Sequence, residues 1–488
     1  MKNRYTIIPK RDITEENMQK ICSKLTVKNP DYENSLKYTG FAPKDKPKYF
    51  YIYEIINKNK ENEALAIPRY ALDDPDISKI IENTELVNKL KLQSVINVPI
   101  AKSRWNSKMK LRDGQEKPLN DLLYNKADII TTECGGGKTV IGVGVLANIK
   151  PPCCIIVHQR FLMDQWIKEL KRFTTIDNKN IVKHKNTNMK KSMKAEIVVA
   201  TVQSLVRLHY DNNKEFYDRF NVAMFDEVHT MGTMKFNTVI SNFKCRRIGC
   251  TATPKRTDGF KIYQWCIGNR MTKNTSTNNV KTKIITLETG FGEHVEPFDY
   301  TMLTMDGRKV LAIQKLINIV YESEMRFNKT IDLIHKLLNI GRYILVLTHR
   351  REYAQRIYNT IREKDKEILL GGMKVEGKSR KVTIATFQFL RYGFDRPIMD
   401  TIVNTGIYQA ENDVKQSTGR IERPHKGKPT PCVIELCDEE IDPAEAMWNK
   451  RVDFHMDRGC QLYTNKDGDE VISVDTTDEI IDLIKEEK

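Results

Sequence analysis

Within the 488-residue chain, Thr132-Glu-Cys-Gly-Gly-Gly-Lys138-Thr139 offers the clearest chemistry. Three consecutive glycines let a backbone curl until several N–H groups face one anion, and a helix starting there adds the positive end of its dipole. In such a loop Cys134, Gly135, Gly136 and Gly137 cradle phosphate, Lys138 reaches the β- and γ-phosphates, and the Thr139 hydroxyl holds Mg²⁺. The first glycine of the GxxxxGK[ST] pattern is Thr132 here, so a plain glycine-rich turn is the competing reading. Asn221-Val-Ala-Met-Phe-Asp226-Glu227-Val228-His229 decides between the two. It is an apolar run ending in adjacent carboxylates. At the C-terminal end of a strand, Asp226 can hold Mg²⁺ through water, while Glu227 orients the water that attacks the γ-phosphorus in line. A solvated turn explains most Asp-Glu pairs. Here an apolar run delivers the pair about 90 residues after the lysine, the separation expected of parallel strands in one sheet. Together the two motifs imply hydrolysis of ATP with Mg²⁺.

The elements that must position these groups follow from hydrophobic patterning. Apolar runs alternate with helical patterns: Cys153–Val157, Ile197–Ala200, Arg246–Cys250, Tyr343–Leu347, Val382–Ala385 and Val433–Leu436. That alternation is the βαβ signature, and it occurs twice. The expected fold is α/β, with two tandem RecA-like parallel-sheet domains, a small N-terminal accessory domain and a helical C-terminal tail. The expected boundaries are 1–103 (accessory), 104–281 (first domain), 282–445 (second domain) and 446–488 (tail). The polar stretch Met271-Thr-Lys-Asn-Thr-Ser-Thr-Asn-Asn-Val280 reads as the linker. No tandem repeat of about 20–50 residues is visible, so the duplication is at domain scale.

Composition narrows the class. Lys+Arg 80 against Asp+Glu 64 gives a net charge of +16, which favours a polyanionic partner whose counterions are released on binding. No run of about 18 apolar residues appears, and Met1-Lys-Asn-Arg-Tyr-Thr-Ile-Ile-Pro-Lys10 lacks the apolar core of a signal segment. The ten cysteines include no CxxC pair, and Cys153, Cys154 and Cys250 sit in apolar runs where buried thiols are the simple reading. A reducing, cytoplasmic compartment is expected, in a host cell or a virion if the source is viral.

The remaining motifs give the chain a resemblance to superfamily 2 helicases over roughly residues 111 to 423. Leu111-Arg112-Asp-Gly-Gln115 is similar to the upstream adenine-sensing element, which implies Arg112 and Gln115 at the nucleotide. Ile155-Ile-Val-His158-Gln159-Arg160 with Gln165-Trp166 resembles the motif that grips a nucleic-acid backbone. Ile197-Val-Val-Ala-Thr201-Val-Gln203-Ser204 resembles the next backbone contact. Gly249-Cys-Thr251-Ala-Thr253-Pro254 resembles the motif coupling hydrolysis to domain movement, a role in which His229 joins Thr251 and Thr253. Ile344-Leu-Val-Leu-Thr348-His-Arg350 and Ile384-Ala-Thr386, with Gly393-Phe-Asp395, resemble motifs IV and V. The resemblance implies nucleic-acid contact at Thr348, Arg350 and Thr386, and nucleotide contact at Gly393 and Asp395. Gln416-Ser-Thr-Gly-Arg420-Ile-Glu-Arg423 matches the QxxGRxxR motif, adding Gln416, Arg420 and Arg423 to the catalytic set. A guanidinium supplied in cis to the γ-phosphoryl group contributes roughly 10³–10⁵ in rate. If helical, Arg420 and Arg423 share a face.

The resemblance implies a monomeric motor with ATP between two domains and nucleic acid across their top. Arg256-Thr-Asp-Gly259, the compact second half and the tail look most like DNA translocases of the xeroderma B type, a T5-like phage helicase and the poxvirus transcript-release helicases. That group implies DNA-dependent ATPase activity, 3′-to-5′ unwinding and work in transcription or repair, alongside transcription machinery. Cys134 and Val228 depart from the commoner residues at their positions. An RNA helicase, a restriction-enzyme motor subunit and a non-catalytic nucleic-acid-binding subunit are the alternatives. The intact Lys138, Asp226, Glu227, Arg420 and Arg423 argue against the last.

The flanks carry three further features. Tyr49, Tyr51 and Tyr53 would line one face of a strand beside upstream lysines, suiting either base stacking or a half-buried sheet face. Lys183–Lys194 reads as a lysine-rich solvated loop. Asp478–Lys488 reads as a short amphipathic helix.

Overall fold

The computed structural model describes residues 4–29, 32, 33, 36, 43, 45–132, 136–208, 212–230, 234–252, 261–274, 282–292, 295–303, 307–370, 379–390, 396–408, 411–463 and 473–485. The chain divides into two compact units, Met1–Ser276 and Thr277–Lys488.

The first unit is built on a seven-stranded, all-parallel sheet. Its strands are β1 (Ile129–Thr131), β2 (Cys153–Val157), β3 (Ile181–Lys183), β4 (Ile197–Thr201), β5 (Val222–Asp226), β6 (Arg246–Thr251) and β7 (Met271–Lys273), in the spatial order β7-β1-β6-β5-β2-β4-β3. Central strands buried on both faces are mostly apolar, which is why these runs lack polar alternation; the buried Arg246 and Arg247 that open β6 are the exception. Successive side chains still point to opposite faces. Cys153, Ile155, Val157, Val199, Val222 and Met224 join one core with helices α1 (Lys138–Ala147) and α2 (Arg160–Phe173). Cys154, Ile156, Val198, Ala200, Ala223 and Phe225 join a second core on the other face.

That second core is shared with the N-terminal residues. Tyr5–Pro9, Ala64–Pro68 and Glu54–Ile56 form their own three-stranded antiparallel sheet. Their apolar side chains, Ile8, Leu65 and Ile67 among them, nevertheless pack in one cluster with Phe225 and Phe243. The Arg69 guanidinium is buried and donates to the carbonyls of Cys245 (2.7 Å), Phe243 (3.0 Å) and Lys244 (2.9 Å). Arg247 in turn donates to the Arg4 carbonyl at 2.9 Å.

Three expectations are corrected here. Met271–Lys273, read as linker, is the edge strand β7, paired with β1. The lysine-rich Lys183–Lys194 is a strand end and helix α3 (Met189–Lys194) rather than a loop, while Lys185, Lys190, Lys191 and Lys194 are exposed as expected. His184 is buried there and bonds Ser192 at 2.9 Å, and Asn188 donates to the Lys183 carbonyl at 2.9 Å. Of the tyrosine trio, Tyr49 and Tyr51 lie on a strand pairing with Thr26–Lys28, and Tyr53 falls beyond it.

The second unit repeats the plan. Strands β8 (Lys283–Glu288), β9 (Ile344–Thr348), β10 (Lys366–Leu369), β11 (Val382–Thr386), β12 (Thr401–Asn404), β13 (Cys432–Cys437), β14 (Gln461–Leu462) and β15 (Ser473–Val474) form a parallel sheet in the order β10-β11-β9-β12-β13-β8-β14, with β15 also on β8. The residues beyond 446 are thus more than a helical tail, since β14 and β15 extend this sheet. Helix α5 (Glu324–Asn339) covers one face together with the C-terminal helix α8 (Thr477–Lys485), which buries Ile480, Ile481 and Ile484. Between them in sequence lie α6 (Glu411–Ile421) and α7 (Asp442–Asp457), with α4 (Val202–Val206) belonging to the first unit. Among the described residues no helix is long and apolar enough to cross a membrane.

Candidate nucleotide and nucleic-acid site

Strands β1, β6 and β5 are neighbours, and their register sets Thr131 level with Thr251, and Cys250 level with Asp226. The glycine loop and the two carboxylates therefore emerge on either side of β6 at the C-terminal edge of the sheet, where parallel α/β sheets take ligands. Glu133, Cys134 and Gly135 lie outside the described residues. Gly136 and Gly137 lead directly into α1, so Lys138 and Thr139 occupy its first turn.

Gly137 has a φ of +86°, and a Cβ there would lie 2.1 Å from Gln115 Nε2. Glycine is thus required both by the backbone and by its neighbour. Gln115 is buried; its Oε1 accepts from Arg112 N–H at 2.9 Å, and its amide donates to the Gly136 carbonyl at 3.5 Å. The adenine-element residues and the loop are in this way brought together. Asn274 was missed by sequence reasoning, which placed it in the linker. Its side chain donates to the same Gly136 carbonyl, and its N–H bonds Thr131 O at 3.0 Å.

Lys138 Nζ donates to Glu227 Oε1 at 2.5 Å. Glu227 has a φ of +50°, a conformation that costs a non-glycine residue on the order of 1–3 kcal/mol and is seen where function demands it. His229 Nδ1 lies 2.9 Å from Thr251 Oγ1 and 3.4 Å from Glu227 Oε2, so two of the residues expected to couple hydrolysis to movement meet at the Glu227 carboxylate. Burial opposes ionisation of Glu227, but Lys138 and then His229 outweigh it and hold the carboxyl below its usual range. Burial, reinforced by the charge of Glu227, pushes Asp226 up to about 6. Burial also lowers the imidazole of His158.

The Asp226 carboxylate accepts from Trp166 Nε1 at 2.8 Å through one oxygen and from Glu227 N–H at 3.0 Å through the other. Each oxygen retains a lone pair, and Thr139 supplies a hydroxyl from α1; hard oxygen donors of this kind suit Mg²⁺. Trp166 departs from expectation. Sequence places it beside the nucleic-acid grip, whereas it is 1% exposed and faces the carboxylate.

The candidate nucleic-acid contacts of the first unit converge. Val157 and Thr201 are register partners at the ends of β2 and β4. His158, Gln159 and Arg160 follow β2 into the start of α2, where Arg160 is exposed. Thr201 is buried and caps α4 by accepting from Ser204 N–H at 3.2 Å, and Gln203 donates to the His158 carbonyl at 2.9 Å.

In the second unit Thr348 and Thr386 are buried register partners at the ends of β9 and β11. Arg350 follows β9 and donates to Gln314 at 3.1 Å and to Asn318 at 2.5 Å. Gln416 and Arg420 share a face of α6, both half-buried. Arg423 lies past the helix end at Ile421, so the two arginines do not share a helical face as expected. Helix α6 leans on a buried polar cluster. Glu435 accepts from Arg451 Nε at 2.9 Å and from Asn404 at 2.5 Å, and sits 3.2 Å from His455. Arg451 also donates to the Tyr408 carbonyl at 2.8 Å, and the Asn404 amide donates to the Tyr408 hydroxyl at 3.3 Å. Thr253, Gly393 and Asp395 lie outside the described residues.

Residues 108–256 match the family model described as type III restriction enzyme, res subunit. The chain is 25% identical over 456 residues to L396 of Acanthamoeba polyphaga mimivirus, named as an ATP-dependent RNA helicase, covering 89% of this chain and 81% of that one. It is 23% identical over 409 residues to the DNA 3′-5′ translocase XPB2 of Sulfurisphaera tokodaii, covering 74% and 89%. It is also 23% identical over 405 residues to helicase D10 of Escherichia phage T5, covering 79% and 82%. In these comparisons the chain is similar to helicases of superfamily 2. The helicase shares its fold with S. cerevisiae Dbp5 bound to RNA and ADP BeF3, with a TM-score of 0.51 over 77% of this chain and 93% of that one at 14% identity. Its activity is that of a nucleic-acid-dependent ATPase.

Proposed function

We propose that the helicase hydrolyses ATP to move 3′ to 5′ along DNA, as a monomer in the cytoplasm, serving transcription or repair. The observation that carries the hydrolytic half is the Lys138–Glu227 contact at 2.5 Å beside the buried Asp226. A triphosphate competes with Glu227 for the Lys138 ammonium. As the lysine turns to the phosphates, the Glu227 carboxylate is released to orient a water, and His229 relays its position to Thr251. Gly136 and Gly137, with Cys134 and Gly135, present N–H groups to the phosphates, and Arg112 and Gln115 meet the base. Thr139 and Asp226 would hold Mg²⁺, which when bound would neutralise phosphate charge. Arg420 and Arg423, with Gln416, supply charge that strengthens as the γ-phosphoryl group departs, and Gly393 and Asp395 complete the nucleotide contacts. His158, Gln159, Arg160, Thr201, Gln203, Thr348, Arg350 and Thr386 contact the strand.

DNA is favoured because the relative named as a DNA 3′-5′ translocase aligns over most of both chains, and the net charge of +16 suits a polyanion. The mimivirus relative's name supports RNA as the second reading. Strand displacement on DNA duplexes with a 3′ or a 5′ overhang, and on the matching RNA duplexes, tests the proposal. It expects ATP-dependent displacement from the 3′-tailed DNA. Displacement confined to RNA, or to 5′ tails, would refute it.

A further inference from the structure

Helix α2 begins at the residues proposed to hold the nucleic-acid backbone, and its interior reaches the ATPase centre. Two turns in from Arg160, the Trp166 indole passes between α1 and β5. A Cβ on Gly142 of α1 would come within 2.6 Å of that ring and 2.8 Å of Met224 Sδ, so the missing side chain at 142 is what admits the indole. The ring N–H then meets Asp226 Oδ2 at 2.8 Å. Because the other carboxylate oxygen is held by Glu227 N–H at 3.0 Å, two donors on different elements fix the plane of the carboxylate. An indole N–H donates and never accepts, so this contact orients the carboxylate without competing for the groups it serves. A core position filled for volume alone would not need the N–H.

We infer that Trp166 is a positioning residue that ties the nucleic-acid-gripping end of α2 to the Asp226 carboxylate, so that strand engagement orients Asp226 for hydrolysis. The inference rests on the proposed roles of His158–Arg160 and Asp226. When α2 shifts on a bound strand, the indole carries that shift to the carboxylate. Without the N–H, the carboxylate loses the one donor that moves with α2, while its bond to Glu227 N–H stays.

The test uses the full chain with Trp166 replaced site-specifically by 3-benzothienylalanine, which keeps the ring shape and puts sulfur in place of N–H. Trp166→Phe is the companion variant. ATP turnover is measured with and without double-stranded DNA across a Mg²⁺ titration, alongside melting temperature. The isostere is expected to melt with the wild type. Its DNA stimulation should fall by about tenfold or more, the scale of one hydrogen bond to a charged group, and the half-saturating Mg²⁺ should rise. Stimulation equal to the wild type, or equal proportional losses with and without DNA, would overturn the inference. A wild-type chain that ignores every nucleic acid would instead refute the functional reading on which the inference rests.

Discussion

Replacing Arg451 with methionine removes a cation from a site where it and its carboxylate partner Glu435 are each 1% exposed. The substitution keeps an unbranched apolar stem, so the loss is electrostatic rather than a cavity. It strips Glu435 of its 2.9 Å donor and the Tyr408 carbonyl of its 2.8 Å donor, leaving Asn404 and His455 around a buried carboxylate. Breaking one half of such a pair costs about 3–5 kcal/mol. At roughly 2 cal/mol/K of unfolding entropy per residue, a unit of this length should lose about 7–11 °C in melting temperature. In the native chain burial opposes ionisation of Glu435, but Arg451 and His455 outweigh it and keep the carboxyl below its usual range. The stability this contributes is present above the unfolded value and is lost as pH falls through the folded one. In Arg451→Met burial acts without the guanidinium and pushes the same carboxyl upward. The variant's penalty is then absent below the unfolded carboxyl's value, where folded and unfolded states are both protonated, and it grows as pH rises above that value. Adding Glu435→Gln removes the second charge, so the double variant should lose about 1–2 kcal/mol rather than the sum of the singles. The assay is thermal melting of all four proteins between pH 4.5 and 8. A single variant within about 1 kcal/mol of wild type, a gap that does not widen with pH, or additive losses would refute the reasoning.

Other substitutions address the site directly. Glu227→Gln should lower turnover by roughly 10²–10⁴ while ATP binding, followed by equilibrium titration, stays near wild type; near-native turnover would remove Glu227 from its role. Gly137→Ala puts alanine at a φ of +86° and its Cβ against Gln115. The left-handed backbone alone costs about 1–2 kcal/mol, so ATP affinity should drop about tenfold or more, and Gln115→Ala should relieve the clash without relieving the backbone. Arg423→Ala should reduce turnover by about 10³ with a small change in ATP dissociation constant; equal losses in both would make the arginine a ground-state ligand.

The parts most legible in sequence were those whose physics is local. Strands buried on both faces must be apolar throughout, so β2, β4, β5, β9 and β11 could be read directly, and the glycines and carboxylates at their ends followed. Contacts between distant residues were not legible. Nothing near Asn274 shows that it closes on Gly136, and a polar run full of Asn and Thr reads as linker whether or not three of its residues pair with β1. Trp166 sits inside a motif read as a surface grip, yet helical periodicity turns it inward to Asp226. Its apolar neighbours at helical spacing, Leu162, Met163 and Leu170, were the available signal. The N-terminal segment forms its own small three-stranded sheet. Its apolar face, however, completes a core that the parallel sheet leaves open, so removing it would expose Phe225 and Phe243.

We propose ATP hydrolysis at Lys138, Asp226 and Glu227 as the drive of this helicase and DNA as what it works on. ATP turnover by the full chain, measured at equal nucleotide concentrations of double-stranded DNA, single-stranded DNA and RNA, with Glu227→Gln as control, tests it most directly. Strong stimulation by DNA, weaker stimulation by RNA and negligible turnover in the variant under every condition are expected. Turnover indifferent to nucleic acid, stimulation by RNA alone, or a variant as active as the native chain would contradict it.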